Sequence, residues 1–203
     1  MIETETETLL LASASAARAA MLTAAGVAIE VLPARIDEEA VKAAMRAEGA
    51  PARDQADKLA ELKALRISAR RPGQLVLGAD QVLVAEGAVY DKPADRAEAE
   101  AHLGALRGKP HELLSAAVIA LNGAPIWRHV GRARLLMRPF TDAFLSGYLD
   151  QMGESVTETV GGYRLEGEGA QLFARVDGDY FTVLGLPLLE VLGFLRARGV
   201  LVE

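Results

Sequence analysis

The stretch Leu75-Val76-Leu77-Gly78-Ala79-Asp80-Gln81-Val82-Leu83-Val84 constrains this chain more than any other. It is an apolar, β-branched run bounded by Pro72-Gly73 and Glu86-Gly87, which predicts a strand buried on both faces in an α/β sheet. Asp80 interrupts it, and an ionised carboxylate inside such a run is costly unless it is paired or binds a metal. Gly78 and Ala79 leave room beside it for a ligand or for another backbone. A bland reading also exists, in which Asp80 ends the strand and bonds backbone groups.

The 203 residues suit one domain, or two closely joined lobes, and hydrophobic residues at 51 % suffice for a sizeable core. A net charge of −6 argues against a partner such as a nucleic acid polymer, which needs a basic face. The chain has no cysteine, so disulfides, thiolate nucleophiles and Cys-type zinc sites are excluded. No run has the length of a transmembrane helix, so no membrane partner is expected. Residues 1–8, with alternating Thr and Glu, lack the order of a signal peptide and read as a flexible lead-in. A cytoplasmic location is the corresponding default.

Strands and helices alternate along the chain. Leu9 to Ala12 reads as a strand, Ser13-Ala14-Ser15 as a turn, and Ala16 to Ala25 as a helix capped by Ser15. Such a turn offers backbone N–H groups to an anion. Arg18 in the first helical turn opposes the helix dipole, which favours a role outside the helix. Val27 to Leu32 reads as a strand, Ala40 to Glu48 as a helix after an acidic cluster, and Asp54 to Arg70 as a long helix with Lys63 beside its apolar stripe. After the Asp80 strand come Glu86-Gly87 as a turn, Asp91-Lys92-Pro93 as a fixed loop, and a helix over 96–106. A hairpin pivots on Asn122-Gly123, and Thr141-Asp142 opens a helix to Met152. Leu172 to Val176 and Tyr180 to Leu184 read as strands, and Leu188 to Arg198 as the last helix.

Several motifs fail on inspection. Gly104 to Pro110 has the wrong glycine spacing for a phosphate loop, with Pro where Ser or Thr would bind magnesium. Gly167-Glu168-Gly169 is misplaced for a dinucleotide fingerprint. His102, His111 and His129 lack metal-ligand spacing, and neither Ser13 nor Ser15 sits on a nucleophile elbow. What remains is a scatter of charges beside strands, namely Arg18, Glu38, Lys63, Asp80, Lys92 and Glu166. Carboxylates that hold a hard cation, mixed with Lys and Arg, suit phosphate chemistry.

Leu10-Leu11-Ala12-Ser13-Ala14-Ser15-Ala16-Ala17-Arg18 resembles the L-A-S-x-S-P-R-R opening of the Maf family of nucleoside triphosphate pyrophosphatases. Ile36-Asp37-Glu38-Glu39, Leu59-Ala60-Glu61-Leu62-Lys63-Ala64, Gly78-Ala79-Asp80-Gln81-Val82, Asp91-Lys92-Pro93, Gly162-Tyr163-Arg164-Leu165-Glu166-Gly167 and Gly185-Leu186-Pro187-Leu188 match its later blocks in order. The resemblance runs from about Leu9 to Arg198. It implies a single α/β domain over 1–203, with a mixed central sheet flanked by helices and two lobes about a cleft, often as a homodimer. It implies hydrolysis of a nucleoside triphosphate to the monophosphate and pyrophosphate with a divalent cation, Mg2+ or Mn2+. Carried over residue by residue, Asp80 is the catalytic acceptor or metal ligand, and Glu38 joins it at the metal. Arg18, Lys63 and Lys92 would hold phosphates, Ser13 would contact substrate, and Gln81 and Glu166 would face the metal or the base.

Ala16 and Ala17 depart from the usual Pro and first Arg, so either one phosphate contact is missing, with affinity lowered, or another residue supplies it. Gln81 with Glu166 resembles the branch associated with 7-methyl-GTP, since a Glu accepts hydrogen bonds from the amino and imino edge of guanine. The rival reading is a nucleotide-binding regulator of the septum or cell-division type, disabled in turnover by the Arg lost at Ala17.

Overall fold

The computed structural model describes residues 8–202, so the lead-in expected over 1–8 lies, apart from Thr8, outside the described residues. In chain order the elements are β1 (Leu9–Leu11), α1 (Ala16–Ala24), β2 (Ile29–Val31), α2 (Glu38–Ala47), α3 (Ala52–Ser68), β3 (Val76–Ala85) and β4 (Ala88–Tyr90). They continue with α4 (Arg96–Leu106), β5 (Pro110–Leu121), β6 (Ala124–Met137), α5 (Asp142–Met152), β7 (Phe173–Asp177), α6 (Tyr180–Val183) and α7 (Leu188–Ala197). The strands form a mixed sheet in the order β2-β1-β3-β5-β6-β7, with β4 antiparallel to β3. This is the expected α/β class. The chain divides into two compact units, one of residues 8–80, 115–131 and 185–202, the other of residues 81–114 and 132–184.

In the first unit β1 lies parallel to β2 and to β3, with Leu10 opposite Val76 and Leu11 opposite Leu77. Leu9, Leu10, Leu11, Val76 and Leu77 are fully buried, as a strand covered on both faces requires. Helix α3 turns Ala56, Leu59, Ala60, Lys63 and Ala64 inward at helical spacing. Ala60 and Ala64 are small because β3 passes against them. A Cβ on Gly78 would stand 2.1 Å from the Ala60 carbonyl oxygen and 2.6 Å from the Ala64 nitrogen. The room foreseen at Gly78 is therefore filled by the backbone of α3. The hairpin turn behaves as its sequence dictates, with Asn122 and Gly123 both at positive φ, 52° and 77°. Asn122 Oδ1 accepts from the Gly73 N–H at 2.7 Å, and Ser68 Oγ from the Gly123 N–H at 3.0 Å.

The second unit has its own core, in which Leu83, Leu103, Leu113, Leu135, Leu149 and Leu172 are buried with Tyr163 and Met137. One expectation is corrected here. Tyr180 to Leu184, read as a strand, forms the short helix α6. Asp179 caps it, accepting from the Phe181 and Thr182 N–H groups at 2.9 Å each. Those two bonds fix the first turn, and the local cap outweighs the strand propensity of Tyr, Phe, Thr and Val.

His111 on β5 is buried in this core, and burial pushes its imidazole down from 6.5 to about 4. The folded chain thus holds it neutral where an unfolded chain would protonate it. Stability from this group is complete above pH 6.5 and falls as pH drops towards 4, by about 3 kcal/mol in all. Urea unfolding across that range should show the loss, and a His111→Phe variant should flatten it. Gly78→Ala should cost about 3 kcal/mol by forcing α3 off β3, read from the urea midpoint.

Candidate active site

Parallel strands aim their carboxyl ends at one edge, and ligands of α/β sheets bind there. The Ser13 turn follows β1, and Asp80 follows the part of β3 that pairs with β1. Both belong to the first unit, as do Arg18, Glu38 and Lys63.

Lys63 is the junction. Its Nζ stands 2.7 Å from Asp80 Oδ1 and 3.0 Å from Glu38 Oε1. The Lys63 and Asp80 side chains are each about nine-tenths buried, whereas the Glu38 side chain is 39 % exposed. Lys63 is thus no snorkelling surface lysine but a cation brought inside by its place on α3, one turn beyond Leu59. Gly78 sets the distance, because the contact of β3 with Ala60 and Ala64 brings Asp80 within reach of Lys63. Glu38 arrives from the first turn of α2, which Asp37 caps by accepting from the Ala40 N–H at 3.0 Å.

Arg18 is buried against the same edge, and its donors are directed. Nε donates to the Gly185 carbonyl at 2.8 Å, and Nη1 to the Ala79 carbonyl at 3.0 Å and to Ser13 Oγ at 2.9 Å. Burial pushes the guanidinium down from its ordinary value, while the charges of Asp80 and Glu38 pull it back up. Arginine keeps its charge under such a balance. The guanidinium therefore clamps the peptide next to Asp80 to the Ser13 turn and to the loop before α7. Ser13 Oγ also accepts from the Ser15 N–H at 3.3 Å, which leaves the hydroxyl hydrogen to donate. Ser15 in turn caps α1, as its position implied.

The other three expected site residues belong to the second unit. Gln81 donates from Nε2 to the Thr182 and Val183 carbonyls at 3.1 and 3.0 Å, so the end of α6 orients it. Lys92 is exposed in the loop after β4, held extended by Pro93. Glu166 is exposed in a turn between two short 3-10 segments, Val160–Gly162 and Glu168–Leu172.

Sequence reading missed the two carbonyls, of Ala79 and Gly185, that Arg18 holds, because a backbone oxygen has no letter of its own. It also passed over the pair formed by His111 Nε2 and the Tyr163 hydroxyl, 2.7 Å apart and buried. Its only signal was a histidine near the start of a mostly apolar strand.

Asp80 and Glu38 meet at one ammonium, and no cluster of three or more carboxylate or imidazole ligands occurs among the described residues. A closed protein cage for a metal is thus not what this edge offers. Two convergent carboxylates fit a hard divalent ion of the Mg2+ type, which takes one or two carboxylates and fills its shell with water and phosphate.

Fold and site together define a class: an α/β protein with a lysine-bridged carboxylate pair at the carboxyl edge of parallel strands. The family model described as Maf-like protein matches residues 8–198, and the chain belongs to the Maf family. It is 55 % identical over 193 residues to a protein of Paramagnetospirillum magneticum, covering 95 % of this chain and 100 % of that one. It is 52 % identical over 191 residues to one of Hyphomonas neptunium, covering 94 % and 96 %, and 51 % identical over 191 residues to one of Caulobacter vibrioides, with the same coverage. All three relatives bear the name nucleoside triphosphate pyrophosphatase. No helix among the described residues is long and apolar enough to cross a membrane.

Arg18→Lys keeps the charge but cannot fork onto two carbonyls and a hydroxyl. It should cost about 2 kcal/mol in thermal or urea unfolding, by leaving a buried acceptor unmet.

Proposed function

We propose that this protein hydrolyses a nucleoside triphosphate to the monophosphate and pyrophosphate, with 7-methyl-GTP favoured. The observation that carries the reading is the Lys63 ammonium held between Asp80 and Glu38 at the carboxyl edge of parallel strands, in a chain of the Maf family. The relatives' shared name supports the reaction type.

Asp80 orients the attacking water and receives its proton, and its buried setting strengthens that contact relative to water. Lys63 fixes the Asp80 rotamer and places a positive charge beside the phosphates. The Ser13 hydroxyl and the first N–H groups of α1 donate to phosphate oxygens. Lys92, an exposed ammonium on a constrained loop, offsets charge gathering on pyrophosphate as it leaves. Arg18 contributes by holding Ala79 and Ser13 in place. A Mg2+ or Mn2+ ion held by Asp80 and Glu38 would neutralise phosphate charge and polarise the attacked phosphorus.

Base preference rests on Gln81 and Glu166. A Glu166 carboxylate accepts from the amino and imino edge of guanine, and its negative charge suits the cationic ring that N7-methylation creates. Gln81, tied to the Thr182 and Val183 carbonyls, is a fixed polar group rather than a flexible one.

A pyrophosphate-release screen over canonical and modified triphosphates, with and without Mg2+ or Mn2+, tests the proposal. Metal-dependent release with 7-methyl-GTP as the best substrate is expected, and absence of turnover on every triphosphate would make the chain a binding protein. Asp80→Asn should lower kcat by three or more orders of magnitude, about 4 kcal/mol of barrier, with its far-ultraviolet spectrum unchanged.

A further inference from the structure

The loop that carries Glu166 is held unusually firmly for a surface loop. Gly161 and Gly162 at its start take positive φ, 77° and 71°, and both are buried. At its far end, a Cβ on Gly169 would fall 2.3 Å from the Arg164 carbonyl oxygen, so the chain closes tightly on itself with Glu166 in between. Two α5 side chains also reach it. The Tyr148 hydroxyl lies 3.5 Å from the Gly162 carbonyl, and Gln151 donates to Glu168.

The deepest of these ties is Tyr163, three residues before Glu166. Its ring meets Phe173 edge-on at 4.9 Å, its carbonyl accepts from Thr159 Oγ1 at 2.9 Å, and its hydroxyl meets His111 Nε2 at 2.7 Å. His111 is 2 % exposed, and its Nδ1 is buried with no partner among the described residues. As filler this is a poor residue, since Leu or Phe would occupy the space without burying an unmet ring nitrogen. Its ring contacts with Tyr163 and Phe173 are ones a Phe would make as well, and what the imidazole adds is the bond to the Tyr163 hydroxyl.

We infer that His111 is a positioning residue for base recognition: through the Tyr163 hydroxyl it fixes the loop that presents Glu166. The inference rests on the reading of Glu166 as a base contact. Losing the bond frees the stem of the loop, so Glu166 samples positions that do not meet the base, and the cost falls on binding of the preferred nucleotide rather than on the phosphate chemistry at Asp80.

The test compares Tyr163→Phe, His111→Leu, His111→Gln and Glu166→Gln in steady-state kinetics, on the best triphosphate of the screen and on its counterpart with another base. Tyr163→Phe keeps the ring and its packing, so it should fold. It should raise KM for the preferred nucleotide by about tenfold with kcat unchanged, and leave the counterpart unaffected. His111→Leu should do the same, and His111→Gln, which restores an amide near the position of Nε2, should recover most of the discrimination. Amide exchange over residues 164–168 should quicken in Tyr163→Phe. If Glu166→Gln abolishes discrimination while Tyr163→Phe keeps wild-type values and wild-type exchange, the role of His111 is overturned and the reading of Glu166 stands. If Glu166→Gln leaves discrimination intact, the reading of Glu166 fails, and base positioning by His111 fails with it.

Discussion

A buried ammonium touching two carboxylates is the contact on which the rest of this structure depends. Taking Lys63 and Asp80 out of water is expensive, and attraction at 2.7 Å offsets the cost only if the geometry is held. It is held by apolar packing rather than by charge. The absence of a side chain at Gly78 lets β3 run against Ala60 and Ala64, and that contact decides how far Lys63 must reach. The electrostatics of the site are thus set by a methyl-sized space at Gly78, two residues before the Asp80 carboxylate.

The two buried cations divide the work according to their chemistry. Lys63 is a compact point charge and serves the carboxylates. Arg18 has a planar fork and ties three separate chain segments together through oxygens of Ser13, Ala79 and Gly185. With Asp80 and Glu38 the four side chains carry no net charge. Opposite charges held this close balance one another within the cluster, so its burial leaves no excess charge to repel.

Much of this could be read from the residues. Helix α4 covers Arg96–Leu106 as expected, and Ser15, Thr141 and the Asn122-Gly123 turn behave as their local chemistry requires. Asp80 stood out because a carboxylate in an apolar run must find a partner, and Lys63 on the preceding helix is that partner. The misreading of Tyr180 to Leu184 came from weighing side-chain propensity over the cap at Asp179. Arg18 was singled out through its opposition to the helix dipole, but its acceptors are backbone groups that no residue pattern reports. The bond between His111 and Tyr163 joins positions 52 apart in sequence, and only the closed fold makes them neighbours.

Helix α2 supplies Glu38 yet contains no fully buried residue. Its hold on the fold is therefore shallow compared with that of α3, and segments of this kind open locally at far lower free energy than the whole molecule. The two carboxylates on Lys63 consequently differ in anchorage as well as exposure: Asp80 stands on a strand buried in the core, Glu38 on one capped turn of a shallowly seated helix, so the charge balance of the cluster has a deep half and a surface half.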